Sequence, residues 1–334
     1  MHVARVVQCV DTHSCGEATR VVIGGLPVVE GQTMAEKYAY FRSKLDNLRT
    51  ALLCEPRGFD NMLGAFLVPA TNSGADFGAI YASATQYFEM CGDSTFSVAK
   101  TLIELGMVAV AEPRTRIRLD TYGGVVEVEV AVKDGAVGDI TYQSVPAFLS
   151  ESASVLVPGL GKVDVDVAFG GLWYGFVRAA DVGIAIGPAH RKKALALGMD
   201  ILRAVQEQVS VKHPSDDLPG RVSLITFYES GLEQGADFVA VNVYGDNATC
   251  RSPAGTMSAA RAAASHALGE LRTGAEIVIR NGWTGSEHRV RVTGETTLGN
   301  VPAIMPQLTA TAYVTGTYQA IIERDDPFGE GFLL

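Results

Sequence analysis

Two stretches decide how this chain is organised: Met90-Cys91-Gly92-Asp93-Ser94-Thr95-Phe96-Ser97-Val98-Ala99-Lys100-Thr101-Leu102-Ile103-Glu104-Leu105-Gly106 and Pro253-Ala254-Gly255-Thr256-Met257-Ser258-Ala259-Ala260-Arg261-Ala262-Ala263-Ala264-Ser265-His266-Ala267-Leu268-Gly269. Laid over each other, Cys91-Gly92 meets Ala254-Gly255, and Leu105-Gly106 meets Leu268-Gly269. Each is a small-residue turn that opens a helix closing on Leu-Gly. A helix start presents unpaired backbone N–H groups and the positive end of a dipole, and so can hold an anion. One copy carries a thiol at that position and the other only a methyl group.

The rest of the chain repeats around these two helices. In the first half, a strand from Val3 leads through Asp11–Arg20 into a second strand, and Thr33–Leu53 has helical spacing (Met34, Tyr38, Phe41, Leu45, Leu48). Strands are expected at Leu63–Val68, Phe77–Tyr81, Arg116–Asp120 and Val125–Val132. In the second half, strands at Val163–Phe169 and Leu172–Val177 flank Gly170-Gly171. A helix at Ala189–Gln208 follows, then strands at Val222–Tyr228 and Phe238–Tyr244. This order predicts a duplicated α+β domain. Pro158-Gly159-Leu160-Gly161 is taken as the boundary, giving a first domain of 1–157 plus 310–334 and a second of 158–309.

With 334 residues the chain is long enough for two cores. Its net charge of −10 disfavours nucleic acid or anionic membranes as general partners. No apolar run reaches the roughly 18 residues of a membrane span, and the start lacks a secretory pattern, so a cytoplasmic location is expected. The cysteines Cys9, Cys15, Cys54, Cys91 and Cys250 are odd in number and contain no CxxC pair, which argues against a disulfide framework. Cys9, His13 and Cys15 fit no common zinc spacing, and no metal site is expected.

With these motifs in view, the chain resembles the proline racemase superfamily, which has the diaminopimelate epimerase-like fold. The resemblance rests on Asp11-Thr12-His13 with Gly16-Glu17-x-Thr19-Arg20, on Glu55-Pro56-Arg57-Gly58 with Met62 and Gly64-Ala65, and on Met90-Cys91-Gly92. Arg251-Ser252-Pro253-x-Gly255-Thr256 and Asp325-Asp326-Pro327-Phe328 complete it. It implies two pseudo-symmetric domains, each a mixed or antiparallel sheet around a central helix, with the active site in the cleft between them. It also implies a homodimer, a small amino-acid-like substrate, and chemistry at the α-carbon of a proline-like amino acid without a cofactor. In the racemases two thiols flank that carbon, the helix-start backbones hold the carboxylate, and an Asp four residues before the second Cys pairs with the ring ammonium. Here the second Cys is Ala254, that Asp is Cys250, the His after the first Cys-Gly is Asp93, and the His after Pro-Arg-Gly is Phe59.

Cys91 is therefore the candidate base. A helix N-terminus is expected to lower its pKa from the ordinary ~8.5 towards neutrality; the competing account is a buried, inert thiol. Cys250 is either a replacement acid/base or a small apolar filler. Asp93 either complements the helix dipole or now binds the amine or donates a proton. Gly92, Gly255 and Thr256, with Ala254 at the altered position, are the expected substrate cradle. Leu63 and Tyr244 are expected over the substrate ring, and core packing explains each of them equally well. With one competent base, the leading expectation is dehydration of the trans-3-hydroxyproline type. The dehydratases of the superfamily likewise keep the first Cys and lack the second, although they retain a hydroxyl residue where this chain has Ala254. An epimerase using Cys250 or Asp93 as second acid/base, and a catalytically silent binding homologue, are the rivals.

Overall fold

A computed structural model describes residues 3–215, 219–230, 235–245 and 248–333. The chain divides into two compact units, one formed by Met1–Tyr142 with Ala310–Leu334 and the other by Gln143–Thr309. In the first unit, β1 (Val3–Ser14) and β2 (Glu17–Gly24) form a hairpin whose turn residues Cys15 and Gly16 have φ of 49° and 87°. Helices α1 (Met34–Lys44) and α2 (Asp46–Leu53) follow, then β3 (Leu63–Val68), β4 (Phe77–Ser83) and the short β5 (Tyr87–Phe88). Next come α3 (Gly92–Glu104), β6 (Arg114–Thr121), β7 (Gly124–Lys133) and β8 (Ala136–Gln143). The second unit runs β9 (Phe148–Val157), β10 (Gly161–Phe169), β11 (Trp173–Arg178), α4 (Arg191–Gln208), β12 (Leu224–Ser230), β13 (Phe238–Tyr244), α5 (Gly255–Ala267), β14 (Glu276–Asn281), β15 (Glu287–Leu298) and β16 (Val301–Ala310). The last strand, β17 (Ala312–Glu323), returns to the first unit and pairs with β1.

The duplication expected from sequence is present in eight strands of each unit, the short β5 having no counterpart. In the first unit β2 is antiparallel to β1 and parallel to β3, β3 is antiparallel to β4, β4 is parallel to β6, and β6 and β7 continue antiparallel into β8. In the second, β11 is antiparallel to β10 and parallel to β12, β12 is antiparallel to β13, β13 is parallel to β14, and β14 and β15 continue antiparallel into β16. The outermost partners, β17 on β1 and β9 on β10, are antiparallel in both. Each unit thus has two parallel steps, and parallel neighbours need a crossover. α3 and α5 supply the second crossover of their respective units.

Two expectations are corrected. Pro158-Gly159 is not a boundary: it lies in the turn joining β9 to β10, which pair throughout, and the chain passes between units at 142–143 instead. The helical stretch 33–53 is two helices, because Leu45 leaves the helical region (φ −127°, ψ 14°). Asp46 then opens α2, where Arg49 and the Tyr87 hydroxyl both bind its carboxylate.

Both central crossover helices are buried on every side. All residues of α3 from Gly92 to Ile103 and of α5 from Gly255 to Ser265 are buried. α3 packs against β1, β2, β3 and β17, and α5 against β9, β10, β11 and β15. Small residues help to make this possible, and two hydroxyls of α3 turn back onto the helix, that of Thr95 to the Cys91 carbonyl (2.8 Å) and that of Thr101 to the Ser97 carbonyl (2.8 Å). Gly170 shows how close the sheet comes, since a Cβ there would stand 2.3 Å from the Thr256 carbonyl oxygen. One large cation is also enclosed. Arg261 of α5, 1% exposed, lies over the rings of Phe176, Tyr228 and Phe238 at 4.6–5.5 Å and pairs with Glu270 at 3.0 Å.

The motifs at 11–20, 55–58 and 325–328 meet in the first unit as structure. Buried Arg20 forks onto Asp11 through two 2.8 Å bonds, donates to the carbonyls of Leu52 (2.7 Å) and Arg57 (2.6 Å), and lies 4.3 Å over Tyr318 of β17. Arg57 in turn pairs with Asp326 at 2.8 Å. Arg20→Met leaves a carboxylate and two carbonyls without their donor and is expected to lower the unfolding free energy by about 3 kcal/mol in urea titrations. Arg20→Lys, lacking the fork, is expected to recover only part of that loss.

Candidate active site

In the first unit the candidate residues gather at the start of α3. Cys91 is the N-cap, with extended backbone (φ −139°, ψ 113°), and it is half-buried whereas Cys9, Cys15 and Cys54 are fully buried. Its carbonyl accepts from the N–H (3.0 Å) and the hydroxyl of Thr95. Thr95 is in turn bonded to the Tyr81 hydroxyl at 3.0 Å, which fixes the first turn from β4.

The electrostatics differ from the expectation. The Cys91 thiol is pushed up to about 12, first by burial and then by the negative charge of Asp93, with Glu17 adding to it; the hydroxyl and backbone N–H of Ser94 act the other way. Burial and two carboxylates outweigh the helix dipole. In the resting protein the group is therefore a thiol through the neutral range, and the lowering expected from sequence does not occur. Asp93 is buried in the first turn of α3. Glu17, also buried, lies opposite Ser14 at the mouth of the β1–β2 hairpin. No local pattern gives Glu17 a role beyond its place in the motif, because its effect on Cys91 depends on β2 packing against α3. Leu63, buried, begins β3 next to Thr19 and Ser83.

In the second unit the candidate residues gather at the start of α5. Ala254 is its N-cap, but with φ 65° and ψ 120°, a backbone conformation that costs a non-glycine residue of order 1–3 kcal/mol. Its N–H donates to the Ser252 hydroxyl at 3.0 Å. Thr256 is buried with its hydroxyl 2.7 Å from that of Tyr174. One turn on, Ser258 is 3.4 Å from Nδ1 of His288, whose complete burial pushes its pKa down to about 3 and keeps the imidazole neutral. Ser258 thus occupies in α5 the place of Thr95 in α3, each held by a ring from the surrounding sheet. Cys250 is half-buried, its carbonyl accepting from Asn281, and Tyr244 ends β13 half-buried, paired with Ala248. The predicted residues therefore fall into two groups. Cys91, Gly92, Asp93 and Leu63 lie in the first unit, and Tyr244, Cys250, Ala254, Gly255 and Thr256 in the second.

Among the described residues, no three His, Cys, Asp or Glu side chains are grouped so as to hold a metal ion, and no helix is long and apolar enough to cross a membrane.

Comparison with known proteins gives this arrangement a family. The sequence pattern described as Proline racemase matches residues 9–333. The chain belongs to the proline racemase family. It is 39% identical to a 4-hydroxyproline 2-epimerase of Streptosporangium roseum and 34% identical to a proline racemase of Clostridioides difficile, over 335 residues that span 100% of both chains in each pair. It is 31% identical to a trans-L-3-hydroxyproline dehydratase of Xenopus tropicalis, covering 100% of this chain and 97% of that one. Among solved structures, a hydroxyproline epimerase of Agrobacterium vitis with bound trans-4-hydroxy-L-proline superposes with a TM-score of 0.91 at 30% identity, covering 100% of this chain and 96% of that one. A family enzyme, isomerase or dehydratase, is what these relatives support.

The site's electrostatics are directly measurable. Removing the charge of Asp93 stabilises the thiolate, so Asp93→Asn is expected to lower the Cys91 pKa by about a unit and to speed its alkylation by iodoacetamide about tenfold at pH 8. Peptide mass spectrometry locates the label. An unchanged rate would remove Asp93 as a control on the thiol.

Proposed function

We propose that Cys91 abstracts the α-proton of a proline-like or hydroxyproline-like amino acid without a cofactor, and that the reaction is the dehydration of a 3-hydroxyproline. The observation that carries this is the inequality of two equivalent helix starts. The N-cap of α3 is a thiol, and the N-cap of α5, at the same place in the repeat, is a methyl group. Inversion at the α-carbon needs a base on one face and a proton donor on the other. Elimination needs a base on one face only: the Cα–H bond breaks to the sulfur, its electron pair forms the Cα–Cβ double bond, and the C3–O bond breaks. The leaving hydroxide takes up a proton as water.

The high pKa of Cys91 fits a base that is armed by its substrate. The Asp at the usual ammonium-binding position is Cys250 here, while Asp93, which replaces a His, and the motif residue Glu17 both act on Cys91. A substrate ammonium drawn to those carboxylates offsets the charge that holds the thiol protonated and favours the thiolate. Amine recognition has in this proposal moved from the second unit to the first. Gly92, Gly255 and Thr256 supply backbone N–H groups for the carboxylate.

Two observations favour a second reading. Cys250 is half-buried in the segment leading into α5, and a relative at 39% identity is a 4-hydroxyproline 2-epimerase. Cys250 or Asp93 would then deliver the second proton, with inversion and no loss of water.

Incubation in D₂O with prolines and with 3- and 4-hydroxyprolines, followed by NMR of the α-proton, separates these outcomes. Dehydration predicts loss of the 3-hydroxyl from a 3-hydroxyproline. Epimerisation predicts deuterium at an inverted α-carbon, and silence across the set would mark a binding protein. Cys91→Ser is expected to lower turnover by roughly a thousandfold, and full activity in that variant would overturn both enzymatic readings. Because the resting thiol titrates high, kcat/KM is expected to rise with pH through the neutral range.

A further inference from the structure

The segment Cys250–Ala254 belongs to no strand or helix, yet side chains hold each of its first four carbonyls. The Cys250 and Ser252 carbonyls accept from Nδ2 of Asn281 at 3.2 and 2.7 Å. The Arg251 carbonyl accepts from the Thr284 hydroxyl at 2.7 Å, and the Pro253 carbonyl accepts from Nδ2 of Asn242 at 3.1 Å. The fifth, that of Ala254, accepts the first helical bond of α5 from Ser258 at 2.9 Å.

Asn242 and Asn281 are both 0% exposed, and the opposite end of each amide is occupied too. Oδ1 of Asn281 accepts from the N–H groups of Trp283 (2.8 Å) and Thr284 (3.1 Å), and Oδ1 of Asn242 accepts from the Thr226 hydroxyl (2.7 Å). Trp283 closes the arrangement from outside by donating to Thr249 at 2.8 Å. A buried amide satisfied at both ends has one orientation and cannot drift without leaving polar atoms unpaired.

We infer that Asn281 is a positioning residue for the reaction. It sits at the end of β14, takes two alternate carbonyls of the 250–254 segment, and thereby fixes the backbone entering α5. The hold accounts for the backbone of Ala254. A non-glycine residue at φ 65°, ψ 120° persists only where its surroundings over-determine it, and the bonds on either side of Ala254 do so. With Ala254 N–H turned to Ser252 and its carbonyl committed to Ser258, the next N–H groups in the chain, those of Gly255 and Thr256, are presented at one fixed place. The inference rests on the proposal that those groups bind the substrate carboxylate. Asn281 touches no substrate and acts only through the segment it holds.

Asn281→Asp tests this without changing shape, since the carboxylate still accepts from Trp283 and Thr284 but cannot donate to Cys250 or Ser252. Asn281→Ala removes both functions. If the donors matter, the two variants behave alike. Backbone hydrogen exchange rises across 250–256 and stays unchanged across 92–104. KM rises about tenfold or more while kcat falls by less than about threefold, the pattern of lost ground-state binding. If Asn281→Asp keeps the exchange pattern and KM of the unsubstituted protein while Asn281→Ala does not, Asn281 is only packing and the inference fails, with the proposed chemistry untouched. Looser backbone at 250–256 with an unchanged KM also overturns it. Should the unsubstituted protein neither turn over nor exchange the α-proton of any hydroxyproline, the functional proposal fails and the kinetic part of the inference with it. Backbone exchange then decides the hold on its own. Circular dichroism at the assay temperature confirms that each variant is folded.

Discussion

Helix α3 is closed in by β1, β2, β3 and β17, so that its residues from Gly92 to Ile103 are buried while its N-cap, Cys91, is half-buried. Most of what distinguishes this molecule follows from that enclosure. A helix wrapped by sheet has little room for large residues, and α5 is accordingly mostly Gly, Ala, Ser and Thr, while in α3 the hydroxyls of Thr95 and Thr101 bond back to the helix. The same enclosure reverses the electrostatics of Cys91. At a solvated helix start the dipole would favour a thiolate, whereas here burial and the charges of Asp93 and Glu17 weigh more and hold the proton on sulfur.

The two units solve one construction problem in different ways. The first fixes its helix start mainly through Thr95 and Tyr81 and leaves Cys91 in ordinary extended backbone. The second fixes the equivalent start from outside the helix, through buried amides on β13 and β14, and holds Ala254 in a costly conformation. Duplication has preserved the topology and the helix positions, while the chemistry at the two starts has diverged in both side chain and backbone.

Much of this was legible in the sequence where local chemistry alone decides. The continuous apolar run Leu63–Val68 and the strand Phe238–Tyr244 are found with the expected limits, and the paired Gly-helix-Leu-Gly segments announced the repeat. Pro158-Gly159 misled because a hairpin turn and a linker use the same residues, and only the distant pairing of β9 with β10 tells them apart. The break at Leu45 was hidden because helical spacing continues across it. The influence of Glu17 on Cys91 and the grip of Asn281 on Cys250 and Ser252 are contacts between segments far apart in sequence, and no local pattern marks them.

The shared motifs can now be separated by what they do. Asp11, Arg20, Arg57 and Asp326 form ion pairs and backbone bonds that tie β1, β2, the 55–58 turn and the C-terminal segment into one unit. Their retention says that the scaffold is intact and says nothing about the reaction. The positions that differ from the family pattern are Asp93, Cys250 and Ala254, at the two helix starts or in the segment leading into one of them, and Phe59, directly after the 55–58 turn. Loss of structural selection would scatter changes through the motifs, and the buried ion pair at Arg20 would tolerate them poorly. Three of the four changes gather at the helix starts or just before one, while the ion pairs of Asp11, Arg20, Arg57 and Asp326 are kept, and this is the pattern that the proposed redirection of the chemistry requires.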